Sequence, residues 1–318
     1  MLRIPLITES QVKKFLTYRE LIPAIKKALK DFSNGHVMQP LRQVTSVEKH
    51  QGYLLSMAAY NQQQDSLSLK VISLYPHNHK KNLPMHECKV FHFDASTGQL
   101  LAIIEAETLT HMRTAAASAA ATEKLLQCLA PKNAKILAVL GAGDQARSHV
   151  YALMSIHQYE KIFVWNHTEE KGRKLVEELK PVFPGIEFCP NVEQAVSNAD
   201  VITTVTASFQ PVLLGKWLKE AVHINCVGAC RPDWRELDDD CMNKCDVYVD
   251  SYIGATAESG DIILSKVKVR AEVGEVIAGK VTKGKNTRTL FKSLGMAAED
   301  VAAASLVLQH YQNKQQDS

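Results

Sequence analysis

The spacing of apolar residues changes along the first third of the chain. Between Val12 and Leu29 they recur at helical spacing, and Thr8 with Gln11 has the form of a capping box at the start. Pro23 interrupts this spacing, which predicts two helices or a kink there. Short apolar runs bounded by turn residues follow and predict strands at 41–47, 53–59, 67–75, 88–93 and 100–105. Because no helical run separates them, these strands predict an antiparallel sheet.

The remainder of the chain alternates between the two kinds of element. Residues 108–127, rich in alanine, predict a helix that lets a neighbour approach closely. The strands expected after it are 135–140, 161–166, 201–204, 223–227 and 247–250, and the helices are 145–157, 169–179, 192–199 and 298–311. This alternation is typical of a doubly wound parallel sheet. The predicted fold is therefore α/β, a Rossmann domain plus an α+β domain with a mainly antiparallel sheet.

Composition narrows the class of protein. The chain has 318 residues. Since a domain typically has about 150 residues, this length predicts two domains. A net charge of +3 is too small to favour nucleic acid, and no apolar run reaches the ~20 residues that a membrane helix needs. Residues 1–10 lack the pattern of a signal peptide, so we expect a cytoplasmic enzyme or binding protein. The seven cysteines predict neither disulfides nor zinc, and no metal is expected.

A dinucleotide-binding loop is predicted directly after the strand at 136–140. The sequence Gly-Ala-Gly-Asp-Gln-Ala follows that apolar strand and opens a helix, the setting that gives the G-x-G-x-x-A pattern its meaning. The first glycine permits a tight turn and the second lets the backbone approach a pyrophosphate. The expected contacts come from Gly141, Ala142, Gly143, Asp144 and Gln145.

The end of the next strand favours NADPH. An NAD enzyme usually has an acid there for the ribose 2′-hydroxyl, whereas this chain has Asn166, His167 and Thr168, with Lys171 one turn on. Amide, hydroxyl and ammonium groups can donate to a 2′-phosphate that an acid would repel. NADH is the alternative cofactor.

Several motifs together resemble the ornithine cyclodeaminase superfamily, and within it the ketimine reductase branch of the mu-crystallins. They are Met-Gln-Pro-Leu-Arg at 38–42, Arg-Thr-Ala-Ala-Ala-Ser at 113–118, the loop at 141–146, Asn-Cys-Val-Gly-Ala-Cys-Arg-Pro-Asp-Trp-Arg-Glu-Leu-Asp-Asp at 225–239, Glu-Ser-Gly-Asp at 258–261 and Lys-Ser-Leu-Gly-Met at 292–296. The resemblance runs from about Pro5 to Leu308. It implies NADPH-dependent reduction of cyclic imine carboxylates such as 1-piperideine-2-carboxylate and its sulfur analogues, in a homodimer built through the N-terminal sheet.

The resemblance also implies roles for individual side chains. Arg42, Lys70 and Arg113 match positions that grip the substrate carboxylate, which a guanidinium fork binds in bidentate fashion. Glu258 would stabilise the iminium, and Lys70 is an alternative proton shuttle, so Lys70, Arg113 and Glu258 are the expected catalytic residues. The remaining expected cofactor contacts, from family positions or strand ends, are His86, Arg113, Thr206, Ala207, Val227 and Ser293.

Two residues depart from the relatives. Cys230 stands where cyclodeaminases have an Asp that assists amine chemistry, which disfavours cyclodeaminase activity because a thiol cannot replace that charge. His167 stands where mu-crystallins have Arg, which predicts a weaker preference for NADPH.

Other functions remain open at this point. The same carboxylate clamp would serve an NADP-regulated cytosolic binder of thyroid hormone (an iodothyronine), or an enzyme like ornithine cyclodeaminase or alanine dehydrogenase. In each case residues 1–112, completed by 296–318, are the expected substrate-binding and dimerisation domain. Residues 113–295 are the expected NADP-binding domain.

Overall fold

The chain folds into two compact units. The computed structural model describes residues 4–129, 134–281, 284 and 286–316. The first unit comprises Met1–Arg113 and Met296–Ser318, and the second comprises Thr114–Gly295. The chain thus leaves the first unit, forms the second, and returns to complete the first.

The first unit contains a seven-stranded sheet. Its strands are β1 (Leu6–Ile7), β2 (Val37–Met38), β3 (Gln43–Val47), β4 (Gly52–Asn61), β5 (Ser66–Leu74), β6 (His86–Asp94) and β7 (Leu100–Glu105). The order is β1-β7-β6-β5-β4-β2, and β3 also pairs with β4. The β1–β7 pair is parallel and the others are antiparallel. The predicted antiparallel sheet is confirmed.

Among the described residues, four α-helices accompany this sheet in the first unit. They are α1 (Glu9–Phe15), α2 (Tyr18–Ser33), the first part of α3 (Glu107–Leu129) and the C-terminal α11 (Ala297–Gln316). Helix α11 packs against β4, β5 and β6 and against α2. Two helices are present before β2, but the expected interruption at Pro23 is wrong. The break falls at Leu16 and Thr17, where Thr17 starts α2 in an extended conformation, and Pro23 lies within α2 at the cost of one backbone hydrogen bond.

The second unit contains an eight-stranded parallel sheet. Its strands are β8 (Ile136–Leu140), β9 (Lys161–Trp165), β10 (Ile186–Phe188), β11 (Val201–Thr204), β12 (Val222–Cys226), β13 (Asp246–Val249), β14 (Val269–Glu272) and β15 (Arg288–Lys292). The order is β10-β9-β8-β11-β12-β15-β13-β14, and every pair is parallel. This confirms the predicted α/β class with a Rossmann-type parallel sheet.

The second unit contains helices before and between its parallel strands. They are the second part of α3, α4 (Asp144–Ile156), α5 (Glu169–Leu179), α6 (Val192–Val196), α7 (Asp239–Asn243), α8 (Tyr252–Glu258), α9 (Gly260–Ser265) and α10 (Val273–Ile277). Within the described ranges, no helix is both long enough and apolar enough to cross a lipid bilayer.

Two buried histidines lie in the second unit. The Nδ1 atom of His149 is 2.7 Å from the Gln145 carbonyl oxygen, and its Nε2 is 3.0 Å from Ser118 Oγ. His223 Nδ1 is 2.9 Å from Thr289 Oγ1. Burial lowers the pKa of each imidazole to about 4, so both are neutral at pH 7.

We therefore expect the folded state to lose stability in mild acid. The unfolded chain takes up protons near pH 6.5 that the folded histidines reject, so each histidine costs about 2 kcal/mol between about pH 7 and about pH 5. Urea unfolding at the two pH values should show a smaller loss for His149→Gln than for the parent chain. The control is His310→Gln, whose side chain is one-third exposed. An identical loss in parent and His149→Gln would contradict the assignment.

Candidate active site

The expected cofactor residues of the second unit meet along one edge of its sheet. They follow five adjacent strands: residues 166–168 follow β9, 141–145 follow β8, 206 and 207 follow β11, 227 follows β12, and 293 follows β15. Because these strands are parallel, their carboxyl ends share one edge. The chain reverses direction across the sheet between β8 and β11, which is where ligands of such sheets bind.

The loop after β8 has the geometry that its glycines predict. Gly141 has φ +126°, and a Cβ there would lie 2.7 Å from the Val205 carbonyl oxygen, so no other residue fits. A Cβ on Gly143 would meet nothing within 4 Å, so the N-terminus of the 13-residue α4 faces open space at this point. The amides of a helix N-terminus and its positive dipole end suit a pyrophosphate.

Two buried polar atoms at this edge also fit a ligand. Among the described residues, Ser293 Oγ and Gln145 Oε1 have no hydrogen-bond partner although both atoms are buried. Buried polar groups are rarely left unpaired in folded proteins. Both residues are expected cofactor contacts. A dinucleotide bound at this edge would supply polar groups that could pair with these two atoms.

Beyond β9 the polar side chains are open to solvent. Asn166 donates to the Thr168 carbonyl oxygen at 2.8 Å, while His167 and Lys171 are exposed. Arg173 is held by Glu169 at 2.7 Å and lies 4.8 Å from the Phe188 ring centre. His167 and Lys171 are therefore the better placed basic groups of this segment for a 2′-phosphate.

One buried carboxylate connects two of the loops at this edge. Glu236 Oε1 accepts from the backbone N–H of Thr206 at 2.6 Å and from its hydroxyl at 2.7 Å. Its Oε2 accepts from Thr204 Oγ1 at 2.8 Å and from Gly228 N at 2.7 Å. Glu236 thus ties the end of β11 to the end of β12. Burial raises its pKa.

A second buried carboxylate extends this network to β15. Asp261 Oδ2 accepts from Lys292 Nζ at 3.0 Å and from the Cys226 thiol at 3.3 Å. Its Oδ1 accepts from the backbone N–H groups of Glu236 at 2.9 Å and Leu237 at 3.1 Å. Burial acts to lower the pKa of Lys292, but Cys226, Asp261 and Glu236 raise it, so this lysine stays charged.

These charged residues were missed as site residues although they lie inside the motifs that carry the family resemblance. Three separate motifs, at 225–239, 258–261 and 292–296, meet in this one network. The sequence did contain a signal for them, because each of the three motifs places a charged residue at or near a short apolar segment. Their shared role is to fix the loops on which Thr206, Val227 and Ser293 lie.

In the first unit, two of the cations expected to bind the substrate carboxylate contact the same acidic residue of α11. Lys70 Nζ of β5 and Arg113 Nε of α3 donate to the same atom, Asp300 Oδ1, at 2.8 and 2.9 Å. Arg113 Nη1 also donates to Glu299 Oε2 at 2.7 Å. All four residues are buried. The two acids were predicted to be helical but were given no role in the site.

The two cations differ in how firmly they hold their protons. Burial and the neighbouring Arg113 lower the pKa of Lys70, even though Asp300 acts in the opposite direction. Burial would also lower the pKa of Arg113, but Asp300 and Glu299 raise it. Arg113 therefore keeps its charge, whereas Lys70 holds its proton less firmly than an exposed lysine does.

The remaining expected residues lie at separate places. Arg42 is half-buried and immediately precedes Gln43, which pairs with Ser56 of β4. The next residue of β4, Met57, pairs with Lys70 of β5, so Arg42 lies near the cross-strand row that contains Lys70. Glu258 is the half-buried last residue of α8 in the second unit. His86 begins β6, and its Nε2 is 2.6 Å from Glu107 Oε1, a contact that no sequence pattern predicted.

We expect Glu236→Gln to destabilise the chain by about 2–4 kcal/mol, because an amide cannot accept from all the donors that surround the carboxylate. NADPH binding should weaken at least about tenfold, since two loops of the edge lose their tie. Urea unfolding and fluorescence titration would measure the two effects. The control is Asp239→Asn, a carboxylate with 65% side-chain exposure in the same segment. Equal effects of the two substitutions would argue against the role of Glu236.

The sequence and the fold are both similar to those of known imine-reducing enzymes. The chain is 44% identical over 290 residues to the ketimine reductase mu-crystallin of Mus musculus, which covers 90% of both chains. It is 32% identical over 310 residues to a Delta(1)-pyrroline-2-carboxylate reductase of Bacillus cereus, with 94% of each covered. The Thermococcus litoralis Delta(1)-pyrroline-2-carboxylate reductase, solved with NADH and L-proline, superposes with a TM-score of 0.92 at 35% identity over 98% of both chains.

The family profile gives the same result over nearly the whole chain. Residues 5–315 match the ornithine cyclodeaminase/mu-crystallin family. The motifs that suggested this resemblance are the ones whose buried charges organise the sheet edge described above. The chain is therefore a member of the ornithine cyclodeaminase/mu-crystallin family.

Proposed function

We propose that this chain is an NADPH-dependent ketimine reductase. It would reduce the C=N bond of cyclic imine carboxylates, such as 1-piperideine-2-carboxylate and its sulfur analogues, to cyclic amino acids. The observation that carries the proposal is that the buried side chains of Lys70 and Arg113 both form ion pairs with Asp300. It supplies a permanent cation for a carboxylate beside a lysine that can release a proton. The named activities of the mouse and Bacillus relatives support the same chemistry.

The substrate carboxylate is assigned to the first unit. Arg113 presents a guanidinium whose orientation is fixed by Asp300 and Glu299 through Nε and Nη1. A guanidinium held in this way loses little conformational freedom on binding an anion. Arg42, beside the same row of the sheet, would add a second cation.

Proton transfer is assigned to Lys70, with Glu258 stabilising the iminium. Lys70 Nζ has its pKa lowered by burial and by Arg113, so its ammonium group donates a proton more readily than an exposed lysine. A protonated imine is the better hydride acceptor because its carbon is more electrophilic. Asp300 keeps Nζ in place and partly offsets the cost of burying it.

The cofactor is assigned to the second unit. When bound, the nicotinamide dinucleotide supplies the hydride. The loop at Gly141 and Gly143 would hold its pyrophosphate. The buried Gln145 Oε1 would accept from a hydroxyl or amide group of the cofactor, and Ser293 Oγ would donate to or accept from another of its polar groups. His167 and Lys171 would face a 2′-phosphate. His167 is a weaker partner than arginine, so NADH is tolerated, in line with the NADH bound by the Thermococcus relative.

Two further parts of the proposal concern assembly and location. A homodimer through the first unit is supported by exposed apolar side chains around its β2 and β3 edge, including Met38, Leu41 and Val44. A cytoplasmic location is supported by the cysteines: six of the seven are described, and all six are free thiols.

The assay for the activity follows NADPH oxidation with 1-piperideine-2-carboxylate. We expect turnover by the parent chain and a loss of about 100-fold or more in kcat/KM for Arg113→Lys, which keeps the charge but removes the fork. The control is Arg19→Lys on the exposed side of α2, which should stay within about twofold.

The outcomes separate the competing functions. Absence of turnover on every cyclic ketimine, by protein that binds NADPH, would overturn the reductase proposal. NADPH-dependent binding of an iodothyronine by such protein would favour the hormone-binding alternative. Turnover of ornithine or alanine instead would place the chain with the other activities of the superfamily.

Cofactor preference has its own test. His167→Arg should raise the ratio of kcat/KM for NADPH to that for NADH by about tenfold, because a guanidinium is always charged and can bind a phosphate through two donors. The matched control is His157→Arg, at the other end of the strand–helix unit. An unchanged ratio in His167→Arg would show that this position does not face the 2′-phosphate.

A further inference from the structure

His86, Glu107 and His111 form a group of potential metal ligands in the first unit. One atom from each, an imidazole nitrogen or a carboxylate oxygen, lies within 4.8 Å of those from the other two. In the described part of the chain, this is the one such group of three or more His, Cys, Asp or Glu side chains. We propose that these three residues bind a divalent transition-metal ion of the Zn²⁺ class.

Regular secondary structure positions all three ligands. Glu107 is the first residue of α3 and His111 comes four residues later, so their side chains lie on the same face of the helix. His86 begins β6 on the neighbouring sheet. The strand and the helix are joined nearby, since Ala106 N donates to the Cys88 carbonyl oxygen at 3.0 Å. Ligands on such elements are held more firmly than ligands on loops.

The distances suit a small ion after modest side-chain rotation. His86 Nε2 is 2.6 Å from Glu107 Oε1, and the two imidazole centres are 6.5 Å apart with an interplanar angle of 69°. Zn²⁺ binds nitrogen and oxygen ligands at about 2.0–2.1 Å, which places tetrahedral ligand atoms about 3.3 Å from one another. The donor atoms thus need to move by about 1–2 Å, well within the reach of half-exposed rotamers.

The donor set selects the class of ion. Two imidazoles and one carboxylate suit Zn²⁺ and its neighbours in the first transition row, whereas Ca²⁺ and Mg²⁺ prefer oxygen ligands alone. The side chains of His86 and Glu107 are 43% and 39% exposed, which leaves room for water to complete the coordination shell.

Nearby charge also favours a cation. The carboxylate of Glu9 accepts from the backbone N–H of Glu107 at 2.7 Å, so a second acid lies at the N-terminus of α3. The contact between His86 and Glu107 is a weak competitor, because both side chains are partly exposed to water.

A consequence for activity rests on the proposed function. His86 is expected to contact the cofactor, and an imidazole that ligates a metal is no longer available for that contact. Zn²⁺ would therefore raise the KM for NADPH in the parent chain but not in His111→Ala. Failure of the reductase proposal would remove this readout and leave the binding measurement below intact.

Zn²⁺ titration by calorimetry, repeated with Co²⁺ as a spectroscopic probe, tests the site directly in the full chain. We expect one site whose affinity falls at least about tenfold in His111→Ala and in Glu107→Gln. The control is His310→Ala, which removes the His310–Glu20 pair elsewhere on the surface and should leave the affinity unchanged. Cys230→Ser identifies any binding at that exposed thiol.

Two results would overturn the proposal: no binding by the folded parent chain, or equal affinity in the parent, His111→Ala and Glu107→Gln. Circular dichroism of each variant establishes that it is folded. Because both substituted side chains are half-buried and near the start of α3, two independent variants guard against a loss that comes from the helix alone.

Discussion

A charge removed from water must be paired, and this requirement organises the sheet edge of the second unit. Lys292 and Asp261 are both fully buried and form an ion pair at 3.0 Å, and Glu236 lies against them through its own backbone N–H. Removing one partner of such a pair would leave an uncompensated charge in an apolar core, at a cost of about 3–5 kcal/mol. These pairs and hydrogen bonds therefore hold together the chain segments that follow β11, β12 and β15.

The same requirement operates in the first unit with different consequences. There the buried cations are Lys70 and Arg113, and their partners are Glu299 and Asp300, near the start of the C-terminal helix. The pairing explains why the chain must return to complete this unit: without α11, two cations would be buried beside the sheet with no described acid. Pairing also shapes the chemistry, because Arg113 stays charged while the pKa of Lys70 is lowered.

The sequence was most informative where local pattern decides the structure. The alternation of strands and helices predicted the parallel sheet, and the glycines after β8 predicted a turn that the positive φ of Gly141 requires. Strand β15 was missed although it lies between β12 and β13 in the sheet. Its short apolar centre is flanked by Arg288 and Lys292, and the burial of that lysine depends on Asp261, which is distant in sequence.

Partners distant in sequence limited the prediction of the site in the same way. Family motifs pointed to Lys70 and Arg113, yet nothing local indicated that their partners lie about 200 residues away on α11. The contact of His86 with Glu107 was invisible for the same reason, because it depends on how β6 meets the start of α3. The prediction at Pro23 was wrong for the opposite reason. The local rule that proline interrupts a helix was overridden by the packing of α2, which continues through Pro23.

The two units share a helix where many two-domain enzymes have a linker. The boundary falls between Arg113 and Thr114, two turns into α3, and the alanines that follow are fully buried. The other boundary, after Gly295, is held by Asp250, which accepts from the backbone N–H of that glycine at 2.8 Å. Within the described residues, 113–122 and 289–298 are buried, so neither boundary lies on an exposed stretch of chain. Exchanging one unit for that of a homologue would therefore require a splice through buried chain at both boundaries, one of them inside α3.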